Sequence, residues 1–310
     1  TPVISWRDTR GSELVDSLRD REALVRGLTG LPLTHYYSAS KLRWLRDSLP
    51  AAELPDAVFG TLSSFLTRRL TGGPDSIDHT NAARTQLMNI ATHAWDEDLL
   101  GLFGLRGIAL PKIVPTCRAF GTARTAAGDV PLLACLGDQQ AAMLGLGVTE
   151  PGDGGINLGT GGFLMVNTGS RLAPAKGLMA SVHYSRERDL RYLLEGSVNA
   201  AGDALEWARL NLGLFKDYGE VDDLCWKATS DTVAFIGLNG TGAPHWEREI
   251  SSAFHGLGPE STSAELVRAI VECVVFFLKD IAEEARKSGI EPKNCVLSGG
   301  LAPINYLTQV

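Results

Sequence analysis

The stretch VPLLACLGDQQAAMLGLGVTEPGDGGINLGTGGFLMV, residues 130–166, decides the fold. It opens on a continuous apolar run, 130–136, of the kind that forms a strand buried on both faces of a sheet. Gly137 and Asp138 end that run, and 139–146 reads as a helix. The Gly- and Pro-rich GVTEPGDGG, 147–155, is the best domain boundary in the chain. INLGTGGFLMV, 156–166, then reads as strand, tight glycine turn and strand. Strands, glycine turns and helices in alternation mean α/β layers.

Toward the N-terminus the grammar is helical. Leu14, Val15, Leu18, Leu24, Val25 and Leu28 recur at helical spacing over 11–29, ending near Gly27 and Gly30. Short helices are expected over 38–47, with Leu42 and Leu45 inward, over 62–70 up to Gly72-Gly73-Pro74, and over 96–103. Toward the C-terminus, 192–194 and 233–236 read as strands and 202–212 as a helix. The clearest helix is 263–288, with Val267, Ile270, Val271, Val274, Val275, Leu278 and Ile281 on one face. Thr262 with Glu265 has the capping-box spacing, and Gly289 supplies a stop. CVLSGG, 295–300, is a strand running into a glycine pair, and a helix is expected from Ala302. There is no internal repeat.

The chain has 310 residues, a net charge of −7, 44% hydrophobic and 21% charged residues. That is comfortable for two domains and large enough for a core without disulfides. The acidity argues against nucleic acid or an anionic membrane as main partner. No apolar run reaches the roughly 18 residues of a membrane span, since Arg268, Glu272 and Cys273 interrupt the greasiest one. Nothing at the start reads as a signal peptide. The nearest two of the five cysteines, Cys117 and Cys135, lie 18 residues apart, so no CxxC pair exists. All five are expected to be buried thiols in a reducing cytoplasm. No histidine pattern suggests a protein-held transition metal.

Three places can carry chemistry. Gly159, Thr160, Gly161 and Gly162 lie between two strands. Glycines there let backbone N–H groups approach a phosphate and Thr160 adds a hydroxyl, but a plain hairpin turn also wants glycine. Asp138 follows a strand and opens a helix, so it is either an N-cap or an ionised base where α/β proteins place ligands. Ser298, Gly299 and Gly300 bring backbone close to a nucleotide or simply pack a helix on a strand.

Taken in this order, the three places resemble those of the FGGY carbohydrate kinases, in the actin-like ATPase superfamily. YYSASKLRWLRD (36–47) matches the family's first signature, except that Ser48 stands where an amide, His or Glu is usual. SAFHGL (252–257) with ELVRAIVE (265–272) after a seven-residue spacer fits the second throughout. DHTNAARTQLMNI (78–90), LGDQQAAMLG (136–145), LGTGGFLMVNTG (158–169) and GTGAPHWE (240–247) are most similar to the members that phosphorylate glycerol. Pentulose kinases usually differ at the Gln139-Gln140 pair.

The resemblance implies two actin-like, ribonuclease H-like α/β ATPase domains with an interdomain cleft. Residues 1–147 would be the N-terminal substrate domain and 148–310 the C-terminal nucleotide domain. Both would be incomplete, since the family's opening phosphate loop, with its first strands, falls before Thr1 and its last helices after Val310. The implied reaction is ATP-dependent phosphorylation of a polyol or sugar hydroxyl, foremost glycerol to glycerol 3-phosphate. The alternatives are a kinase for a ketopentose such as xylulose, a non-catalytic relative acting as a binding module, and an actin-like ATPase without a small acceptor.

By position, Asp138 is implied as the base that takes the proton of the attacking hydroxyl. Trp6 and Phe163 would clasp the substrate's carbon backbone, while Tyr36, Asp138 and Gln139 would hydrogen-bond its hydroxyls. Gly159, Thr160 and Gly161 match the phosphate turn, and Gly202, Glu206, Gly300 and Leu301 match adenosine-side contacts. The implied cofactors are ATP and Mg²⁺, with no further metal held by the protein. The implied partner is a small polyol or sugar, with no nucleic acid or membrane. A homo-oligomer is allowed and the location is cytoplasmic.

Besides Ser48, three positions depart from the family. Ile304 stands where an Asn often contacts the base, Glu206 replaces a common Gln, and Gly162 replaces a small side chain. The glycine-rich loop that binds a sugar bisphosphate in some bacterial members would fall near 124–129, which here reads RTAAGD. No such regulation is therefore expected, and bisphosphate inhibition would refute this.

Overall fold

In the computed structural model, which describes residues 3–310, the helical period of 11–29 is realised in two pieces. Helix α1 (Ser12–Ser17) and helix α2 (Glu22–Thr29) are separated by a 3₁₀ turn at Arg19–Arg21. Val15 and Val25 point into the core. Helix α2 stops at Gly30, whose φ of 75° lets its N–H reach the Arg26 carbonyl at 2.8 Å. A Cβ there would also lie 2.5 Å from the Ala180 carbonyl oxygen. Gly30→Ala is therefore expected to lower stability by about 2 kcal/mol, the left-handed penalty plus a backbone clash. A thermal melt of the variant checks it, and an unchanged midpoint would refute it.

The elements that follow are α3 (Ser38–Ser48), α4 (Leu62–Thr71), β1 (Ser76–Asp78), α5 (His79–Ala83), β2 (Met88–Asn89), β3 (Ala94–Trp95) and α6 (Glu97–Leu102). After them come β4 (Lys112–Val114), β5 (Cys117–Thr125), β6 (Gly128–Ala134) and α7 (Asp138–Gly145). Asp96 caps α6 by accepting from the N–H groups of Asp98 and Leu99 at 3.0 and 3.1 Å. β1 pairs in parallel with β4, and β5 and β6 form an antiparallel ribbon. The core of this part is one cluster containing Val15, Val25, Leu42, Phe59, Leu99 and Phe103.

The run 130–136 does become a strand, but not one buried on both faces. Val130 is 49% and Leu133 59% exposed. Among the described residues β6 has only β5 beside it, so the ribbon leaves one edge and most of both faces open. Burial on this ribbon is confined to Phe120 and Ala123 of β5, the strand on which α4 packs.

The second half begins with β7 (Gly154–Leu158) and β8 (Gly162–Gly169), antiparallel with Leu158 opposite Gly162. Then come β9 (Met179–Ser185), β10 (Leu190–Val198), α8 (Gly202–Leu210), α9 (Glu220–Lys227), β11 (Val233–Phe235) and β12 (Ala253–His255). α10 (Ser263–Lys287), β13 (Cys295–Ser298) and α11 (Asn305–Gln309) end the chain. The chain divides into two compact units. The first runs through Leu144 and takes in Gly169–Leu172 and Met179–Leu193. The second holds Gly145–Thr168, Ala173–Leu178 and Leu194–Val310. In the second, β13, β7, β8 and the later half of β10 lie side by side, with β13 parallel to β7.

The long helix α10 begins as its sequence requires. Thr262 Oγ1 accepts from the Ala264 N–H at 3.2 Å, and Glu265 accepts from the Thr262 N–H at 2.9 Å. The Thr262 hydroxyl donates to Glu265 at 2.6 Å, and this bond, with those from backbone N–H groups, holds the Glu265 carboxyl down at about 2. Val267, Ile270, Val271, Val274, Leu278 and Ile281 are buried, while Val275 is half-buried. Thr262→Ala is expected to cost about 1 kcal/mol, measured as a lower urea midpoint. Thr262→Ser should lose less than half of that.

Two further expectations are corrected. The residues after Gly300 form turns, and the last helix starts only at Asn305, because Pro303 disfavours helical backbone at Ala302 before it and Ile304 is extended, with ψ 102°. Of the cysteines, Cys225 and Cys273 are buried, Cys117 and Cys135 are half-buried, and Cys295 is exposed. Cys295 starts β13, which has a strand on one side only among the described residues. Burial pushes the Cys225 thiol up to about 12 and that of Cys135 up to about 11.

Candidate active site

On the first unit, the Trp6 and Tyr36 rings meet edge to face, with centroids 5.6 Å apart and planes at 90°. Both are exposed. Lys41 of α3 lies buried close by. Its ammonium donates to the carbonyl oxygen of His35 and, at 3.4 Å, to that of Trp6. It thus ties together the two segments that present the rings. Desolvation lowers its pKa, and the Asp8 charge acts against that. Asp8 is itself gripped by Arg10 at 2.5–3.0 Å, which holds its carboxyl near 2. The Arg10 guanidinium lies 4.5 Å from the centroid of the Trp44 ring.

Asp138 is the first residue of α7 and is exposed, its carboxylate accepting from the Gln139 N–H at 2.8 Å. A charge at this helix end is stabilised by the macrodipole. Gln139 is half-buried. The backbone just before Asp138 is held from β1 and α5: the Gly137 N–H donates to Thr80 Oγ1 at 2.9 Å. Gln140 is buried and donates from Nε2 to Ser181 Oγ at 3.1 Å.

Beside this lies a polar cluster that composition did not reveal. His79 Nδ1 is 2.8 Å from Ser185 Oγ, and His93 Nε2 is 2.6 Å from the Tyr192 hydroxyl. Burial, with the neighbouring His93, pushes the His79 pKa down to about 4, from an ordinary 6.5. The unfolded chain therefore takes up a proton at His79 between about 6.5 and 4 that the folded chain refuses, so stability falls as pH drops through that window. Urea midpoints measured from pH 7 to 4 should decline, and His79→Gln should flatten the decline. Parallel curves for both proteins would sink this reading.

On the second unit, three glycine segments distant in sequence meet at the end of β7. The Gly159 N–H closes the turn on the Gly161 carbonyl at 3.0 Å. The Gly159 carbonyl accepts from the Gly202 N–H at 2.9 Å, and the Thr160 carbonyl from the N–H groups of Ala201 and Asp203 at 3.1 and 3.0 Å. A trans peptide sets its N–H opposite its C=O. With both carbonyls turned onto the start of α8, the N–H groups of Thr160 and Gly161 face the other way, next to the exposed Thr160 side chain. Successive outward N–H groups make an anion-binding concavity. This is more than a hairpin turn requires, and it fits a nucleotide's phosphates.

The glycines are needed here for space. A Cβ on Gly202 would lie 2.5 Å from the Gly159 oxygen, and one on Gly161 2.9 Å from the Val198 oxygen. Gly299, at φ 99°, presses on the backbone of Leu158, whose carbonyl also accepts from the Leu301 N–H at 3.2 Å. Gly300, by contrast, faces open space, so Gly299 is the constrained member of that pair. One turn along α8, Glu206 is held by Arg209 at 2.6 and 3.0 Å and by the Tyr218 hydroxyl at 3.1 Å. Ile304 is buried, and the Asn305 amide is bonded to Asp222 at 3.1 Å. Phe163 stands half-buried on β8, opposite Asn157. Trp6, Tyr36, Asp138 and Gln139 thus belong to the first unit, and Phe163 and the glycine cradle to the second.

Thr80 and Lys41 are site residues that the sequence does not single out. For Thr80 and Lys41 the only signal was their presence inside the segments quoted above.

An exposed carboxylate opening a helix on one α/β unit and a backbone concavity able to take an anion on the other are compatible with a fold of actin-like ATPase type. Residues 1–145 match the N-terminal domain of the FGGY family of carbohydrate kinases and residues 154–310 its C-terminal domain. The chain belongs to that family. It is 38% identical over 321 residues to a glycerol kinase of Geobacter sp. (strain M21), covering 99% of this chain and 65% of the relative. With a glycerol kinase of Chloroflexus aurantiacus the identity is 36%, over the same shares. Among solved structures, the Plasmodium falciparum glycerol kinase with ADP superposes with a TM-score of 0.92 at 30% identity, covering 99% of this chain and 64% of that one. A xylulose-type kinase from Brucella ovis gives 0.85 at 25%, covering 98% and 64%. The chain spans about 65% of the length of the curated relatives it matches.

Proposed function

We propose that this protein transfers the γ-phosphoryl group of ATP to a hydroxyl of a small polyol, with glycerol giving glycerol 3-phosphate. The observation that carries the reading is the cradle at the end of β7, where the outward N–H groups of Thr160 and Gly161 and the crowded Gly202 suit a polyphosphate. Support for glycerol comes from the relatives named glycerol kinase, at 36–38% identity. In this reading Trp6 and Phe163 exclude water from the polyol, and Tyr36 and Gln139 bind its hydroxyls. The attacking oxygen forms its bond to the γ-phosphorus as the bond to the β-phosphate oxygen breaks. The hydroxyl proton passes to the Asp138 carboxylate. Mg²⁺ would arrive with ATP, held largely by phosphate oxygens. Gly202, Glu206, Gly300 and Leu301 line the adenosine side, and the reaction belongs in the cytoplasm, where ATP is made and used.

No described helix is long and apolar enough to cross a membrane. The test is ATP consumption with glycerol and with xylulose. Turnover raised by glycerol supports the reading, and turnover raised only by xylulose moves the substrate to the ketopentoses, the second reading favoured by the Brucella ovis structure. Nucleotide binding with no acceptor-dependent turnover would replace both by a binding role.

A further inference from the structure

The path that holds Asp138 in place leads to a residue with no role so far. Asp78, at the end of β1, is fully buried. Its Oδ2 accepts from the Thr80 N–H at 2.8 Å and from the Thr80 hydroxyl, and its Oδ1 accepts from Asn81 Nδ2 at 2.6 Å. Burial pushes the Asp78 pKa up while these hydrogen bonds favour its ionised form, and in that form the carboxylate is an acceptor only. The Thr80 proton is therefore committed to Asp78, which leaves the Thr80 lone pairs facing outward. One of them takes the Gly137 N–H at 2.9 Å, across 57 residues of sequence. Gly137 is the residue before Asp138. A Cβ at 137 would lie 2.5 Å from Gln140 Oε1, the end of a buried side chain that would have to shift.

We infer that Thr80, oriented by Asp78, is a positioning residue that sets where the Asp138 carboxylate stands at the start of α7. The inference rests on the reading of Asp138 as the base. Thr80 touches no reacting atom. It acts by fixing the peptide from which Asp138 projects, and displacement of a reacting group by about 1 Å is enough to cost about 10²-fold in rate.

Thr80→Val keeps the shape and removes the hydroxyl. In the kinase assay with ATP and glycerol, kcat should fall between about tenfold and 10²-fold. The KM for ATP should stay within about twofold, and the acid limb of the kcat–pH profile should move. Thr80→Ser, which restores the acceptor, should recover most of the rate. Amide exchange at Gly137 should accelerate in the Val variant and be normal in the Ser variant. If Thr80→Val does not fold, Asp78→Asn is the second variant. Its amide can donate to Thr80 and turn the hydroxyl around, so the same rate loss with unchanged ATP KM is expected.

A Thr80→Val protein with wild-type kcat and pH profile overturns the inference, as does a Thr80→Ser protein as slow as the Val variant. Asp138→Asn assayed alongside separates the two levels. If that variant still turns over, the base assignment falls. If it is dead while Thr80→Val is unimpaired, only the role of Thr80 falls.

Discussion

Replacing Asp138 by Asn is expected to lower phosphoryl transfer to glycerol by about 10³-fold or more while leaving ATP affinity within about threefold. The asymmetry follows from what the group does. Asp138 is exposed, and among the described residues its carboxylate is bonded to the adjoining Gln139 N–H at 2.8 Å. Removing its charge breaks no buried network, so the fold should survive. What is lost, under the proposed reaction, is the acceptor for the hydroxyl proton. A loss of 10³ corresponds to about 4 kcal/mol of transition-state stabilisation, within the span of general-base effects. The residues proposed for the adenosine side lie on the second unit, so nucleotide binding should persist. Steady-state kinetics plus calorimetric titration with ATP would measure both quantities. An Asn variant with more than about a tenth of the wild-type rate would remove Asp138 from the mechanism.

Gly202→Ala is expected to weaken ATP binding by at least about tenfold, with a smaller effect on overall stability. The added Cβ would lie 2.5 Å from the Gly159 oxygen and 3.5 Å from the Thr160 Cα. Neither neighbour can swing aside, because both are backbone. The turn would have to move off α8, losing the bond from the Gly202 N–H and disturbing those from Ala201 and Asp203. Those bonds are what point the N–H groups of Thr160 and Gly161 outward, so the anion site should be lost while the β7–β8 ladder persists. Tenfold is about 1.4 kcal/mol, less than the loss of two good hydrogen bonds to a charged phosphate. Binding of ATP by the Ala variant at wild-type affinity would show that the cradle is not the nucleotide site. Gly27→Ala on the exposed face of α2 makes a useful control, since a Cβ there meets nothing within 4 Å and should leave ATP binding unchanged.

The family membership bears on how such results are to be read. The relatives are longer than this chain. Loss of activity in any variant therefore has to be compared with the same chain unsubstituted.

Local signals were legible in the sequence wherever a segment carries its own cause of structure. The capping box at Thr262 and Glu265, the apolar face of α10 and the glycine turn between β7 and β8 depend on neighbours a few residues away, and the structure contains all three. Strand β9 could not be seen that way. MASVHYS is buried along nearly its whole length, yet it mixes Ser and His with apolar residues. Those polar groups are tolerated because partners such as Gln140 and Thr116, far off in sequence, bond to Ser181 and Ser185.

The sequence by itself determined the α/β class, the main helices and the family pattern, because periodicity, caps and turn residues act over one or two turns of chain. Tertiary structure alone decided the rest. It left the apolar strand 130–136 largely open, because burial depends on what lies beside a strand and not on its own composition. It chose Gly299 over Gly300 as the constrained glycine, because only a folded backbone brings Leu158 against one of them. It also joined Asp78 and Thr80 to the peptide before Asp138, because a hydrogen bond spanning 57 residues leaves no periodic trace in the residues between.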